Sequence, residues 1–363
     1  MPLTTEDVRT ALRTVQDPDL HKDLVTLNMV KSIEVQDDRI DIVVELTTPA
    51  CPMKDRIRDD IVRAVRHAGN AHDQPVDRVE VEFTAEVRQG VDGDSALPGL
   101  KHVLAVGAGK GGVGKSTIAV TLGIGLARHG ASVGILDGDI YGPSMPTMLG
   151  LDDIPANVRD QTLIPFDVHG VKAMTIGKLV PPDKALIWRG PMAHGAFKQL
   201  ALQTEWGELD YLIVDLPPGT GDVPLTLSQL LPLTGAVVVC TPQKVAQDDA
   251  RRAVRMFQQL GVPVLGVVEN MSFFIGDDGR EYDIFGRGGA QMLAQGMNLP
   301  FLGAVPLHMR MRENADEGRP TAQWEINETI SEALDAVCRN LASQVSIAAV
   351  SGAYVQPTLS VNS

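Results

Sequence analysis

Thiols are scarce in this sequence. Only Cys51, Cys240 and Cys338 occur among 363 residues, too few and too widely spaced for a disulfide framework. Cations are in deficit as well: 32 Lys and Arg stand against 46 Asp and Glu, a formal net charge of −14. That balance argues against a general nucleic-acid or membrane-surface binder, which needs a basic face, and leaves only a local basic patch open. No stretch approaches the roughly 20 consecutive apolar residues of a bilayer span. The opening Met1-Pro-Leu-Thr-Thr-Glu-Asp7 lacks the basic and apolar regions of a signal peptide. The expectation is a soluble, cytoplasmic protein with neither nucleic acid nor membrane as partner. Aromatic residues are few and no internal repeat stands out, but the apolar content is ordinary. The chain can bury a full core and has room for two domains.

Glycine is concentrated where it matters. Gly107-Ala-Gly-Lys-Gly-Gly-Val-Gly-Lys-Ser-Thr117 follows the apolar run Val103 to Val106 and precedes an amphipathic run starting at Thr117. From Gly109 to Ser116 the spacing fits G-x-x-x-x-G-K-[ST], the phosphate-binding loop between a strand and a helix. Gly109, Gly111, Gly112 and Gly114, with Val113 among them, let backbone N–H groups turn inward around a polyphosphate. Lys115 supplies a point charge for the β- and γ-oxygens, and the Ser116 hydroxyl suits Mg²⁺. The helix start at Ser116 and Thr117 adds a partial positive charge aimed at the same anion. A chance glycine-rich turn explains neither the flanking strand and helix nor the closing Lys-Ser. The stretch predicts a nucleoside triphosphate site.

Residues 1–88 read as a small α+β domain. Thr4 or Thr5 caps a helix with Val8, Ala11, Leu12 and Val15 on one face, ended by Asp17-Pro-Asp. Ile40, Ile42, Val44 and Leu46 alternate as in a half-buried strand. The turn Thr48-Pro-Ala-Cys-Pro52 leads to a helix bearing Ile57, Ile61 and Val65, and a further strand sets Val79, Val81, Phe83 and Ala85 on one side. Cys51 has two readings: a buried small hydrophobe, or a thiolate favoured by the helix N-terminus that follows. One thiolate per chain does not by itself complete a metal site, which takes about four ligands.

Residues 89–99 are rich in Gly and Asp and read as a linker. From residue 100 to 345, strands and helices alternate, the mark of an α/β fold with a mostly parallel sheet covered by helices on both faces. Strands are expected at Val103–Val106, Val133–Leu136, Leu212–Val214, Ala236–Cys240, Val264–Val268 and Phe301–Val305, and helices at 116–128, 193–203, 247–260 and 324–344. The polar tail 346–363 reads as disordered. Cys240 and Cys338 fall in apolar patterns and read as core.

Ligands in such sheets gather at the carboxyl ends of strands, where three further motifs fall. Asp137-Gly-Asp139 follows the second strand; the pair either orients water and a magnesium shell or merely caps a turn. Tyr211-Leu-Ile-Val-Asp215 is an apolar strand ending in a carboxylate that can engage Mg²⁺. The following Leu-Pro-Pro-Gly-Thr-Gly-Asp222 carries Gly219 and Gly221, which suit a switch segment. Val267-Val-Glu-Asn-Met-Ser272 puts Asn270 at a strand end, where its carboxamide meets either an adenine edge or a turn.

Taken in order, these motifs resemble a known family. Lys-Gly-Gly-Val-Gly-Lys-Ser at 110–116 is similar to the deviant Walker A loop of the MinD/ParA and nitrogenase-iron-protein ATPases. With Asp139-Ile-Tyr-Gly-Pro-Ser-Met-Pro146, Asp215-Leu-Pro-Pro-Gly-Thr-Gly-Asp222, Val267-Val-Glu-Asn-Met-Ser272 and Ile284-Phe-Gly286, the chain resembles the Mrp family of iron–sulfur cluster carrier P-loop ATPases. Its first 88 residues resemble the small MIP-type domain. The resemblance implies ATP and Mg²⁺ as ligands, ATP hydrolysis, a nucleotide-bridged homodimer and apoprotein clients that receive iron–sulfur clusters. It implies that Lys110 reaches the partner's phosphates, that Asp139 orients the attacking water, that Asp137, Asp215 and Ser116 serve the metal, and that Asn270 meets adenine. It also points to a functional cysteine at Cys51.

One family feature is missing. Many members carry Cys-x-x-Cys after the Asn-Met-Ser segment, where this chain reads Phe273-Phe-Ile-Gly-Asp-Asp-Gly-Arg-Glu-Tyr-Asp283. Asp277 and Asp278 are hard donors unsuited to iron–sulfur ligation and read as a hairpin turn. Three functions therefore compete: an ATP-dependent cluster carrier, a nucleotide-switched adaptor that carries no cluster, and a ParA-like positioning ATPase. The acidic balance and the lack of a terminal basic amphipathic helix weigh against the third.

Overall fold

The computed structural model describes residues 3–36, 39–87, 97–140, 142–179, 190–221, 230–276 and 278–351. The chain divides into two compact units, Met1–Arg88 with Ser346–Ser351, and Gln89–Val345.

The first unit is an α+β layer. Helix α1 (Thr5–Leu12) is capped by Thr4, whose hydroxyl accepts from the Asp7 amide while the Asp7 carboxylate accepts from the Thr4 amide. The helix stops at Leu12, short of Val15, which is nevertheless buried from the turn that follows. Strands β1 (Val30–Val35), β2 (Arg39–Leu46) and β3 (Arg78–Ala85) form a sheet in that order, β1–β2 antiparallel and β2–β3 parallel. Helix α2 (Lys54–Ala71) buries Ile57, Ile61 and Val65 in one core with Ile40, Ile42, Val44 and Leu46. Strand β1 was not expected. A bulge between Val30 and Ser32 breaks its two-residue alternation and hides it from pattern reading.

The second unit begins inside the expected linker, since Leu97 joins its core and the Gly99 carbonyl accepts from the Leu209 amide; Gln89–Asp94, Ser95 and Ala96 lie outside the described residues. In chain order come β4 (Leu100–Gly107), α3 (Lys115–Arg128), β5 (Val133–Asp137), α4 (Met145–Met148), β6 (Asn157–Arg159), β7 (Thr162–Ile164), β8 (Phe166–Val168) and β9 (Val171–Thr175). Then follow α5 (Gly190–Leu202), β10 (Leu209–Asp215), β11 (Gly235–Cys240), α6 (Lys244–Gln259), β12 (Val264–Ile275) and β13 (Glu281–Tyr282). The chain continues with α7 (Gly289–Gly296), β14 (Phe301–Leu307), α8 (Met309–Asp316) and α9 (Glu328–Ser351).

Nine of these strands form one sheet, β13-β12-β11-β4-β10-β5-β9-β8, with β14 also on β12. Its central pairs are parallel, and only β12–β13 and β8–β9 run antiparallel. Strands β5 and β11 are buried at every residue, so both faces of the sheet are covered. The six expected strands are all present. The three-residue strands β6–β8 are present without having been expected, because so short a strand carries no readable period, and so is the glycine-bounded α7.

Helix α9 differs from its expected span at both ends. Asn327 caps it by accepting from the Ile330 amide, so Pro320–Glu325 forms a separate 3₁₀ turn. At the far end Ser346–Ser351 continues the helix rather than starting the tail, since no Gly or Pro occurs before Gly352. Residues 352–363 lie outside the described residues. Among the described residues no helix is long and apolar enough to cross a membrane.

Candidate active site

Strand β4 delivers the chain into the loop 108–114, and α3 starts at Lys115. Gly112 (φ +80°) and Gly114 (φ +77°) adopt left-handed backbone, which excludes β-branched and bulky residues. Packing closes the rest: a Cβ at Gly109 would lie 2.0 Å from the Asp249 carbonyl oxygen, and one at Gly114 would lie 2.1 Å from the Asn270 amide nitrogen. Gly111 and Gly112 are exposed, Val113 is buried and Thr117 is half-buried in the first turn. The loop is thus open at Gly111 and Gly112 and closed at Val113.

Three strand ends bring oxygen ligands to this loop. The Lys115 ammonium, on a side chain only 6% exposed, pairs closely with the fully buried Asp215 carboxylate and lies 3.9 Å from Asp139. The Ser116 hydroxyl donates to the second Asp215 oxygen at 2.6 Å. Asp137 and Asp215 are register partners on β5 and β10. Asp137 accepts from the Thr175 hydroxyl at 2.8 Å and from the Asp139 amide at 3.1 Å. Thr175 was missed from sequence, because it ends a five-residue strand that pattern reading did not pick out.

Burial, and after it the neighbouring Asp215 carboxylate, push Asp137 up to about 7. Burial raises Asp215 too, opposed by Lys115 and the Ser116 hydroxyl. The sign for stability follows. Between the ordinary carboxylate value of 3.8 and about 7, the fold holds a proton at Asp137 that the unfolded chain has lost. Stability is therefore full at the acid end of that window and falls as pH rises through it. Melting of the nucleotide-free protein is expected to show this fall, and Asp137→Asn is expected to flatten it; an unchanged slope in the variant would contradict the assignment.

Asn270 donates from its amide to the Val113 carbonyl at 2.8 Å, so it steadies the loop from β12. Gly219 (φ +99°) donates its amide to the Ala108 carbonyl at 2.9 Å, holding the start of the switch segment against the loop; Asp222 lies outside the described residues. Lys110 is half-buried, and among the described residues its ammonium has no hydrogen bond or ion pair.

The thiols take no part here. Cys240 is 1% exposed in the core, where burial pushes it up to about 12. Cys338 is fully buried against Gly125. Cys51 packs against the core of the first unit, and burial pushes its thiol up to about 11, with Asp17 and Asp19 adding to the rise against the Met53 backbone. Of the two readings of Cys51, this burial agrees with the small hydrophobe. Among the described residues no group of three or more His, Cys, Asp and Glu is placed to hold a metal ion. The hairpin expected at Asp277 and Asp278 is present: β12 and β13 pair antiparallel, and Asp278 accepts from the Arg280 amide, while Asp277 lies outside the described residues.

A family model described as NUBPL iron-transfer P-loop NTPase matches residues 99–342, and one described as iron-sulfur cluster assembly protein matches residues 5–81. The chain is 50% identical over 344 residues to the iron-sulfur cluster carrier protein of Deinococcus radiodurans, covering 94% of this chain and 95% of the relative. It is 46% identical over 356 residues to that of Synechocystis sp., covering 96% and 99%. A nucleotide-binding protein from Archaeoglobus fulgidus, solved in complex with ADP, superposes with a TM-score of 0.56 at 37% identity, over 63% of this chain and 93% of that one. Motif, sheet order and these matches agree, and the chain belongs to the NUBPL iron-transfer P-loop NTPase family.

Proposed function

We propose that this chain binds and hydrolyses ATP as a nucleotide-bridged homodimer in the cytoplasm, and uses the cycle to hand iron–sulfur clusters to apoproteins. The observation that carries the reading is the meeting of Lys115, Ser116, Asp215, Asp137 and Asp139 beside the glycine loop 108–114. The ADP held by the related A. fulgidus protein agrees with it. The loop amides and Lys115 grip the polyphosphate. Ser116, Asp215 and Asp137 supply the hard oxygen donors that suit Mg²⁺, which when bound neutralises charge on the β- and γ-oxygens. For Lys115 to reach phosphate, its ion pair with Asp215 has to open, which frees that carboxylate for the metal. Asp139 orients the attacking water for in-line displacement, and Lys110 of a second copy offsets charge in the transition state. Asn270 keeps its amide on Val113 and offers its oxygen to the adenine amino group.

The cluster is cargo, and one chain does not offer a closed site for it: Cys240 and Cys338 are core, and Cys51 is single. Its ligands have to come in part from a second copy or the client. The same fact favours a second reading, an adaptor switched by nucleotide that carries no cluster. Phosphate release with ATP and Mg²⁺ tests the enzyme part. Asp139→Asn is expected to slow release about a hundredfold with nucleotide affinity within a few-fold of wild type. Release at the native rate would remove Asp139 from the mechanism, and none from wild type, with or without client, would end the ATPase reading.

A further inference from the structure

The Asp137 carboxylate is held from both sides by its own chain. One oxygen accepts from the Asp139 amide at 3.1 Å, and the other accepts from the Thr175 hydroxyl at 2.8 Å. Thr175 is the register partner of Asp137 on β9, as Asp215 is on β10. Its hydroxyl also accepts from the Gly177 amide at 3.1 Å. A hydroxyl carries one hydrogen, and with Gly177 as donor that hydrogen goes to Asp137. Both residues are closed to water: Asp137 is 0% and Thr175 1% exposed.

The turn after Thr175 reaches the second acidic residue of the site. Ile176–Lys178 forms a 3₁₀ turn whose Gly177 amide is the one bonded to the Thr175 hydroxyl. Gly177 packs so closely on the Asp139 loop that an added Cβ would stand 2.8 Å from Pro146 Cγ and 3.2 Å from Pro143 Cβ. Thr175, Gly177, the 143–146 stretch and Asp139 thus make a circuit that returns to Asp137 through the Asp139 amide. Strand β9 otherwise places Val171, Ala173 and Met174 in the core, where valine would pack as well as threonine. The hydroxyl is the feature that packing does not require. Carboxylates that serve a metal are themselves hydrogen-bonded, and such outer partners fix their orientation.

We propose that Thr175 is the positioning residue of the divalent-cation site, orienting Asp137 for a Mg²⁺ bound with the nucleotide and tying that orientation to the Asp139 loop; this rests on the reading of Asp137 as a metal residue given above. Thr175 acts through Asp137 and not on the nucleotide, since its hydroxyl bonds Asp137 and Gly177. Its loss therefore falls on metal affinity and leaves the grip of Lys115 and the glycine loop on phosphate in place.

The test uses the full chain and Mn²⁺, which takes the same oxygen donors as Mg²⁺ and whose free fraction is read by electron paramagnetic resonance. Mn²⁺ is titrated in the presence of a non-hydrolysable ATP analogue, and binding of the analogue without metal is measured separately. Thr175→Val keeps the shape and removes the hydroxyl; it is expected to weaken Mn²⁺ about tenfold or more, with metal-free analogue binding within a few-fold of wild type. Thr175→Ser keeps the hydroxyl and is expected to recover Mn²⁺ affinity to within a few-fold. A merely structural Thr175 reverses this order, because valine then fills the site and serine leaves a methyl-sized gap. Thr175→Ser and Thr175→Ala both lose the methyl and differ only in the hydroxyl, so their comparison decides the matter even if the valine variant does not fold. Wild-type Mn²⁺ affinity in Thr175→Val, or equal affinity in the serine and alanine variants, would overturn the positioning role alone. A wild type that binds the analogue and takes up no Mn²⁺ with it would overturn the metal-site reading, and the positioning role with it.

Discussion

Lys115→Ala is expected to weaken ATP binding about a hundredfold and to destabilise the nucleotide-free fold at the same time. Both effects come from one ammonium serving two anions. Its charge-assisted bonds to phosphate oxygens are worth roughly 1.5–3 kcal/mol, a factor of about ten to one hundred and fifty in affinity. Without nucleotide the same group pairs with Asp215, which is 0% exposed. Removing one partner of a buried pair costs on the order of 3–5 kcal/mol because the other charge is stranded. Protonation of Asp215, already favoured by its burial, relieves part of that cost. The double variant Lys115→Ala with Asp215→Asn is therefore expected to regain melting temperature while still failing to bind ATP. Native affinity in Lys115→Ala, measured with a fluorescent ATP analogue, would contradict the account of the loop.

Lys110→Ala is expected to behave in the opposite way, with ATP affinity within a few-fold of wild type and hydrolysis slowed about a hundredfold or more, as when a donor acting on the transition state is removed. Among the described residues the Lys110 ammonium has no bonded partner in its own chain, whereas Lys115 is bonded to Asp215 and lies 3.9 Å from Asp139. A cation left free beside a phosphate site is suited to act on a second molecule's nucleotide. Wild-type turnover per chain is then expected to rise with protein concentration, and that dependence to vanish in the variant. Hydrolysis by Lys110→Ala at the native rate would rule out action across a dimer.

Most of the second unit was legible because its signals are local. Glycine spacing specifies the loop within eight residues, and the strands that end at Asp137 and Asp215 are largely apolar runs. What escaped was long-range or locally irregular. The Lys115–Asp215 pair spans 100 positions, and no pattern in either segment announces that the loop lysine is neutralised by the strand-end carboxylate. Thr175 bonds Asp137 from a strand whose five residues have no distinctive period. The sequence around Asn270 leaves a base and a turn equally open; it bonds Val113, a partner set by the fold of the sheet rather than by its neighbours. For Cys51, the proximity of a helix start was visible in the sequence, but the degree of desolvation was not, and desolvation decides the direction of its shift.

Cluster uptake without the usual Cys-x-x-Cys is the part of the proposed function on which the carrier reading depends. Anaerobic reconstitution with iron and sulfide tests it most directly, reading visible absorbance and iron per dimer for wild type and Cys51→Ser, each checked for ATP binding. A carrier is expected to show a chromophore in the wild type that is lost in Cys51→Ser, with ATP binding unchanged in both. A wild type that binds ATP and takes up no cluster would contradict it and leave the nucleotide-switched adaptor as the function of this fold.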